Sequence, residues 1–336
     1  MQYSFTEEEL HTEVERLYGH LKEVGWTRSD CELIAPMTLE INTIKKQKNA
    51  IILAHSYQTP DIIFGVGDYT GDSLGLSIQA AETDADIIIF AGVIFMAETA
   101  KILSPKKQVI VPSTRAGCSL ADAITPQDVR DLKAKYPGIP VVCYVNTTAD
   151  VKAEADICVT SANVEKIVKS MEEKQIIFVP DVNMAKYLQR ICPEKEIISF
   201  NGTCIVHDNI NPASINHMRT QNTDLIILAH SECPPDVLDR VDFVGGTGDM
   251  IRYIKENPDK KKFMIASECG LSDRLAIDFP DRKFMGTCVL CPFMKENGLD
   301  NILEALRNPQ PDQIIEIDEE LRIKAKKSLD RMLEFN

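Results

Sequence analysis

The chain has 336 residues, ten cysteines, 44% hydrophobic residues and a formal net charge of −14. So acidic a balance excludes a nucleic-acid surface, which needs a basic footprint, and it requires any anion site to be built locally, from helix N-termini rather than a field of arginines. Met1–Leu10 shows no basic, apolar leader, and the longest apolar run, Ile87 to Ala97, is too short to span a bilayer, so we expect a cytoplasmic protein whose cysteines bind metal or react rather than pair.

In chain order, residues 1–48 read as peripheral helices. Thr6-x-x-Glu9 is a capping box, and Leu10, Val14, Leu17 and Leu21 share one face. Pro36 is expected to break the next helical segment, and His11 and His20, set among charges, are expected at the surface. Ala50–Ala54 is a buried-strand run followed at once by His55, Tyr57 and Gln58, where open α/β sheets bind ligands. Gly71-Asp72-Ser73 then caps a helix. Gly65-x-Gly67-x-x-x-Gly71 is out of phase with a dinucleotide fingerprint, which argues against a Rossmann cofactor. Asp86–Phe90 and Val109–Val111 are further strands, with a helix from Phe95 between them. The second leads to Cys118.

The pattern then recurs. Strand runs at Val141–Cys143, Asp156–Val159 and Ile176–Val179 lead to Cys204; runs at Leu225–Leu228, Asp242–Val244 and Phe263–Ile265 lead to Cys291. The three cysteines lie 86 and 87 residues apart (204 − 118 and 291 − 204). Each unit also offers a polar strand end (His55 and Tyr57; Tyr144 and Asn146; His230 and Glu232) and a hydroxyl turn (Ser73; Ser161; Thr247). Internal repetition of this kind defines a fold. It predicts an α/β protein of three similar three-layer α/β/α domains, with parallel sheets around a pseudo-threefold axis and the active site at their junction. The expected boundaries are 1–117 together with the tail 292–336, then 118–203, then 204–291. Leu321, Ala325, Leu329 and Met332 mark the tail as a docked amphipathic helix.

Three thiolates from three separate units cannot form a compact zinc finger, and their spacing differs from ferredoxin runs. They suit a cubane iron–sulfur cluster with one iron open to act as a Lewis acid. Cys31, Cys143, Cys158 and Cys192 read as small buried residues. Cys288-x-x-Cys291 leaves the third position open: either thiol can be the ligand, or the two can pair as a disulfide. Glu232 and His230 sit two residues apart, as do Tyr57 and His55, so each pair can face one side. Glu232 is a candidate proton shuttle, and Tyr57 a candidate to donate to a leaving hydroxyl or to approach the open iron.

The motifs A-H-S-Y-Q at 54–58, G-D-S-L at 71–74, F-M-A-E-T-A-K at 95–101 and A-G-C-S-L-A-D at 116–122 resemble the quinolinate synthase family. So do Y-V-N-T at 144–147, K-A-E-A-D-I-C-V-T-S-A-N at 152–163, G-T-C-I-V-H at 202–207, A-H-S-E-C at 229–233 and C-P-F-M at 291–294. The resemblance runs from about Ala50 to Met332. It implies condensation of iminoaspartate with dihydroxyacetone phosphate to quinolinate, with release of phosphate and water, in NAD biosynthesis. It further implies a [4Fe-4S] cluster on Cys118, Cys204 and Cys291, the last in preference to Cys288. By the same resemblance His55, Tyr57, Tyr144, Asn146, His207, His230 and Glu232 face the substrate, with His207 and His230 joining Tyr57 and Glu232 in catalysis. Ser73, Ser161 and Thr247 hold its carboxylate or phosphate groups. The enzyme that makes iminoaspartate is a candidate partner. One departure stands out: the family's G-S-T turn reads Gly245-Gly246-Thr247 here. Rival readings are an aconitase-type hydro-lyase, which also uses an open iron, and a non-enzymatic iron–sulfur sensor, for which the acidic chain offers no nucleic-acid surface.

Overall fold

A computed structural model describes residues 3–287 and 289–335. Three four-stranded parallel sheets succeed one another along the chain. The first comprises β1 (Ala50–His55), β2 (Tyr69–Gly71), β3 (Ile87–Ala91) and β4 (Gln108–Ile110), in the order β2-β1-β3-β4. The second comprises β5 (Val141–Tyr144), β6 (Ile157–Val159), β7 (Gln175–Val179) and β8 (Glu196–Ser199), in the order β6-β5-β7-β8. The third comprises β9 (Ile226–His230), β10 (Phe243–Gly245), β11 (Lys262–Ala266) and β12 (Lys283–Gly286), in the order β10-β9-β11-β12. The order is the same each time, which bears out the repeat read from the cysteines.

The central strands are near-continuous apolar runs because helices cover both faces of each sheet, so neither face is left for polar residues. Ile52, Leu53, Ile88, Ile89, Val141, Val142, Ile176, Ile177, Ile227, Leu228 and Ile265 are all fully buried. Each side chain of that size stabilises the fold by about 1.5–3 kcal/mol through burial. The repetition reaches individual hydrogen bonds. Asp68 accepts the Ile52 N–H at 2.7 Å, Asp156 the Val141 N–H at 2.7 Å and Asp242 the Ile227 N–H at 2.8 Å. Each carboxylate thereby pins the turn before an edge strand to the start of its central neighbour.

The amino-terminal helices are α1 (Glu7–Leu21) and α2 (Arg28–Gln47). The Thr6 capping box is present, with Glu9 accepting the Thr6 N–H at 2.8 Å and Thr6 Oγ1 accepting the Glu9 N–H at 3.2 Å. Pro36 does not break the second helix but lies inside α2. A proline costs a helix interior about 3 kcal/mol, and here buried Cys31, Ala35, Thr38, Ile41 and Ile44 hold the turns on both sides of it in place. Leu17, Leu21, Cys31 and Ala35 form one cluster with Ile277, so the helix pair joins the first sheet's surroundings to the third's. His11 and His20 are exposed, the latter stacked on Phe64. In the tail, helix Leu299–Arg307 lies against α2 and β3, whereas helix Glu319–Leu333 lies against β6 and helix Ala149–Ala153, burying Ala325, Leu329 and Met332. No helix among the described residues is long and apolar enough to cross a membrane.

Candidate active site

Because all three sheets are parallel and built alike, equivalent strands deliver equivalent groups. The carboxyl ends of β1, β5 and β9 present His55 and Tyr57, Tyr144 and Asn146, His230 and Glu232. The turns after β2, β6 and β10 present Ser73, Ser161 and Thr247. The loops after β4, β8 and β12 present Cys118, Cys204 and Cys291. One cavity is lined by all of these and by His207, so every site residue expected from the sequence reaches the same space. Cys288 lies outside the described residues. Cys31, Cys143, Cys158 and Cys192 are fully buried away from it, as expected of packing residues.

The polar groups form a continuous chain across the units. Thr247 Oγ1 donates to Tyr57 Oη at 3.0 Å, and Tyr57 Oη lies 2.8 Å from Ser267 Oγ. Ser267 Oγ lies 3.0 Å from His207 Nε2, and His207 Nδ1 lies 2.8 Å from Glu232 Oε2. Tyr144 Oη donates to the other oxygen, Glu232 Oε1, at 2.5 Å. His230 stacks on His207 with ring centroids 4.4 Å apart, and His55 meets the Tyr57 ring edge-on at 4.5 Å. Ser267 does not follow from the repeat. It directly follows β11, where Gly92 and Pro180 follow the equivalent strands, so the other units carry no hydroxyl there; a polar residue straight after a buried strand is the one signal the sequence offers.

Burial sets the protonation states. It holds the His55 and His230 imidazoles neutral, each lowered from 6.5 to about 3. It also pushes the phenols of Tyr57 and Tyr144 well above the usual value. Burial alone would raise the Glu232 carboxyl too, but positive charge on His230 or His207, whenever either is protonated, and the hydrogen bonds that His207 and Tyr144 donate to it reverse the sign and hold it below the ordinary range. The cavity therefore holds an ionised carboxylate and a protonated phenol within one network. Asn146 Oδ1 is buried without a partner among the described residues, an acceptor left for a bound molecule.

The three turns differ in detail. Ser73 opens helix Ser73–Glu82 behind the capping side chain of Asp72, which accepts the Gly75 N–H at 2.9 Å. Thr247 opens helix Thr247–Glu256. Ser161 sits in a turn two residues before Asn163, the N-cap of helix Val164–Ser170, rather than on the helix itself. Gly246 has a steric correlate: a Cβ there would meet Ser161 Oγ at 2.5 Å and Ser161 Cβ at 3.0 Å. Ser161 thus fills the space that a residue larger than glycine would need.

Three thiols from separate units on one cavity form a sulfur-rich donor set, which suits an iron–sulfur cluster. Burial pushes the Cys118 thiol up to about 12, and it raises Cys204 and Cys291 as well. The apolar side chains of Val93, Phe95, Met96 and Phe293 line the same space, as a sheltered cluster requires. Cys204, His207 and Glu232 also bring ligand atoms within 4.8 Å of one another, a mixed set able to hold a single ion.

The chain is similar to known proteins over most of its length. The profile of the family described as quinolinate synthetase A protein matches residues 39–334. Quinolinate synthase of Alkaliphilus metalliredigens is 47% identical over 298 residues, covering 88% of this chain and 97% of that protein. Quinolinate synthase 2 of Mesorhizobium japonicum is 46% identical over 86% of this chain and 88% of its own length. Quinolinate synthase of Caulobacter vibrioides is 43% identical over 325 residues, 96% of this chain and 86% of its own.

Proposed function

The chain belongs to the quinolinate synthase family of enzymes, and from that premise we propose that it condenses iminoaspartate with dihydroxyacetone phosphate to quinolinate, releasing phosphate and water, as a step of NAD biosynthesis. The observation that carries this reading is the delivery of Cys118, Cys204 and Cys291 to the same cavity as the Tyr57–Glu232 network. Those three thiols would hold a [4Fe-4S] cluster, which when bound supplies an iron without a protein ligand as a Lewis acid for substrate oxygens.

The chain's own residues account for binding and proton transfer. Asn146, His55 and His230 are neutral or amide groups that orient substrate polar atoms without adding charge. Ser73 and Ser161 offer hydroxyls to its carboxylate or phosphate groups; Ser73 is backed by the N–H groups of its helix. Building a pyridine ring requires protons to leave carbon and hydroxyls to leave as water. Glu232, held ionised, is the base, and Tyr57, held protonated, is the acid. The Ser267 hydroxyl and the His207 imidazole connect them, so a proton lost by Tyr57 is replaced along the same hydrogen bonds. Thr247 donates to Tyr57 and fixes the direction of its hydroxyl. The substrates reach this interior as small molecules.

The experiment is turnover by anaerobically purified protein. Dihydroxyacetone phosphate with an imine formed from oxaloacetate and ammonia is expected to give quinolinate, and citrate-like hydroxy acids are expected to remain untouched. Dehydration of the hydroxy acids without quinolinate formation would replace this reading with an aconitase-type hydro-lyase.

A further inference from the structure

The third thiol is held differently from the other two. Ser119 Oγ donates to Thr203 O at 3.1 Å and accepts the Ile205 N–H at 3.2 Å. The residues on either side of Cys204 are therefore stapled to the residue after Cys118. Cys291 is fixed by another pair. Its N–H donates to Glu268 Oε1 at 3.2 Å, and its C=O accepts the Lys295 N–H at 3.2 Å. Glu268 is fully buried at the start of helix Cys269–Asp278, where its other oxygen accepts the Gly270 N–H at 2.6 Å. The Lys295 ammonium lies 3.0 Å from Glu268 Oε1 and donates to the Tyr57 C=O.

A buried carboxylate is costly unless its charge is matched and its lone pairs are engaged. Lys295 does the first, and two backbone N–H groups do the second. The junction is also too close for a side chain at position 270. A Cβ there would lie 2.6 Å from Tyr57 O, 2.8 Å from Glu268 Oε2 and 2.9 Å from Lys295 Nζ. Ser267 and Glu268 are consecutive, so the end of β11 takes hold of Tyr57 twice. Ser267 meets its hydroxyl, and Glu268 reaches its backbone through Lys295.

We propose that Glu268 and Lys295 are positioning residues, a buried ion pair that locks the Cys291 backbone to the Tyr57 loop and so sets the third thiol against the acid. The inference rests on the reading of Cys291 as a cluster ligand and Tyr57 as the acid. Neither side chain enters the reaction.

The test uses the full chain, prepared anaerobically, as Glu268→Ala, Lys295→Met, Lys295→Arg and Cys291→Ser variants with folding checked by circular dichroism. Iron and sulfide per chain are measured after reconstitution. Iodoacetamide alkylation of Cys291 is followed in the cluster-free chain by peptide mass spectrometry, with Cys118 in the same molecule as reference. Glu268→Ala removes an anion beside the thiol and Lys295→Met a cation, so charge alone would shift the two in opposite directions. Both are nevertheless expected to speed Cys291 roughly tenfold relative to Cys118, as loss of a charge-assisted contact implies, and to lower bound iron; Lys295→Arg is expected to restore both. If Glu268→Ala does not fold, the Lys295→Met protein decides the question alone. An unchanged Cys291-to-Cys118 ratio with full iron, or equal acceleration of both thiols, overturns the proposal. A fully loaded Cys291→Ser protein would instead overturn the ligand reading, while the alkylation ratio would still decide whether the clamp exists.

Discussion

The phenol of Tyr57 and the imidazole of His207 hold a single hydroxyl between them, that of Ser267, at 2.8 and 3.0 Å. Tyr57 follows a strand of the first sheet, His207 the last strand of the second, and Ser267 a strand of the third. The link therefore exists only when all three units are docked. Ser267→Ala is expected to lower kcat about 10–100-fold, part of the usual acid–base contribution, with KM and cluster content nearly unchanged; Ser267→Thr is expected to recover most of it. Steady-state kinetics on anaerobic protein decide this, and a wild-type kcat in the alanine variant would remove the link from the reaction.

Glu232 accepts from both His207 and Tyr144, and the proposed role of base requires it to be ionised. Glu232→Gln keeps the shape and removes the charge, so kcat is expected to fall by about 10²–10⁴ with substrate binding retained. Tyr57→Phe is expected to bind substrate and stall. Retention of most of kcat in Glu232→Gln would mean that the carboxylate only orients His207.

Anion binding should separate from chemistry. Ser73→Ala and Ser161→Ala are each expected to raise KM for dihydroxyacetone phosphate by roughly tenfold, the loss of one hydrogen bond to a charged group. The absorption spectrum of the cluster should stay unaltered. Unchanged KM in both would leave these serines as turn formers.

Much of this arrangement is legible in the sequence because the repeat states it three times. Cys118, Cys204 and Cys291 follow the last strand of each sheet, so their register survives even where surrounding residues differ. What occurs once is not legible. Ser267 has Gly92 and Pro180 as its counterparts, and Glu268, although Asp181 is its acidic counterpart in the second unit, contacts Cys291 across a separation no local pattern encodes. The short edge strands β2, β8 and β12 escape a search for apolar runs for a related reason: three or four residues at a sheet edge need less apolar sequence than the buried centre. Pro36 misleads because helix propensity is local, whereas α2 is held by tertiary packing.

Acid should destabilise the cluster-free chain earlier than carboxylates alone would. His55 and His230 titrate at about 3 when folded, below their ordinary 6.5. Between those values the unfolded chain binds protons that the folded chain refuses, so their stabilisation is complete above pH 6.5 and is lost as pH falls. Each contributes a slope of about 1.4 kcal/mol per pH unit within that window. Glu232, lowered from 4.5, acts in the same direction but only below that value. Urea unfolding at pH 7.5, 6.5 and 5.5 is expected to show stability falling between the last two, with His55→Asn or His230→Asn flattening the fall. A pH-independent midpoint over that range would contradict buried neutral imidazoles.

Three thiols, one from each unit, are proposed to hold one cluster at the cavity that contains Tyr57 and Glu232. Iron and sulfide analysis with Mössbauer spectra of anaerobically reconstituted cysteine variants tests this central claim most directly. Serine at Cys118, Cys204 or Cys291 is expected to abolish the four-iron spectrum in each case, and serine at Cys143 or Cys158, fully buried in neighbouring strands, is expected to leave it intact. A full four-iron spectrum in any of the first three would contradict the claim.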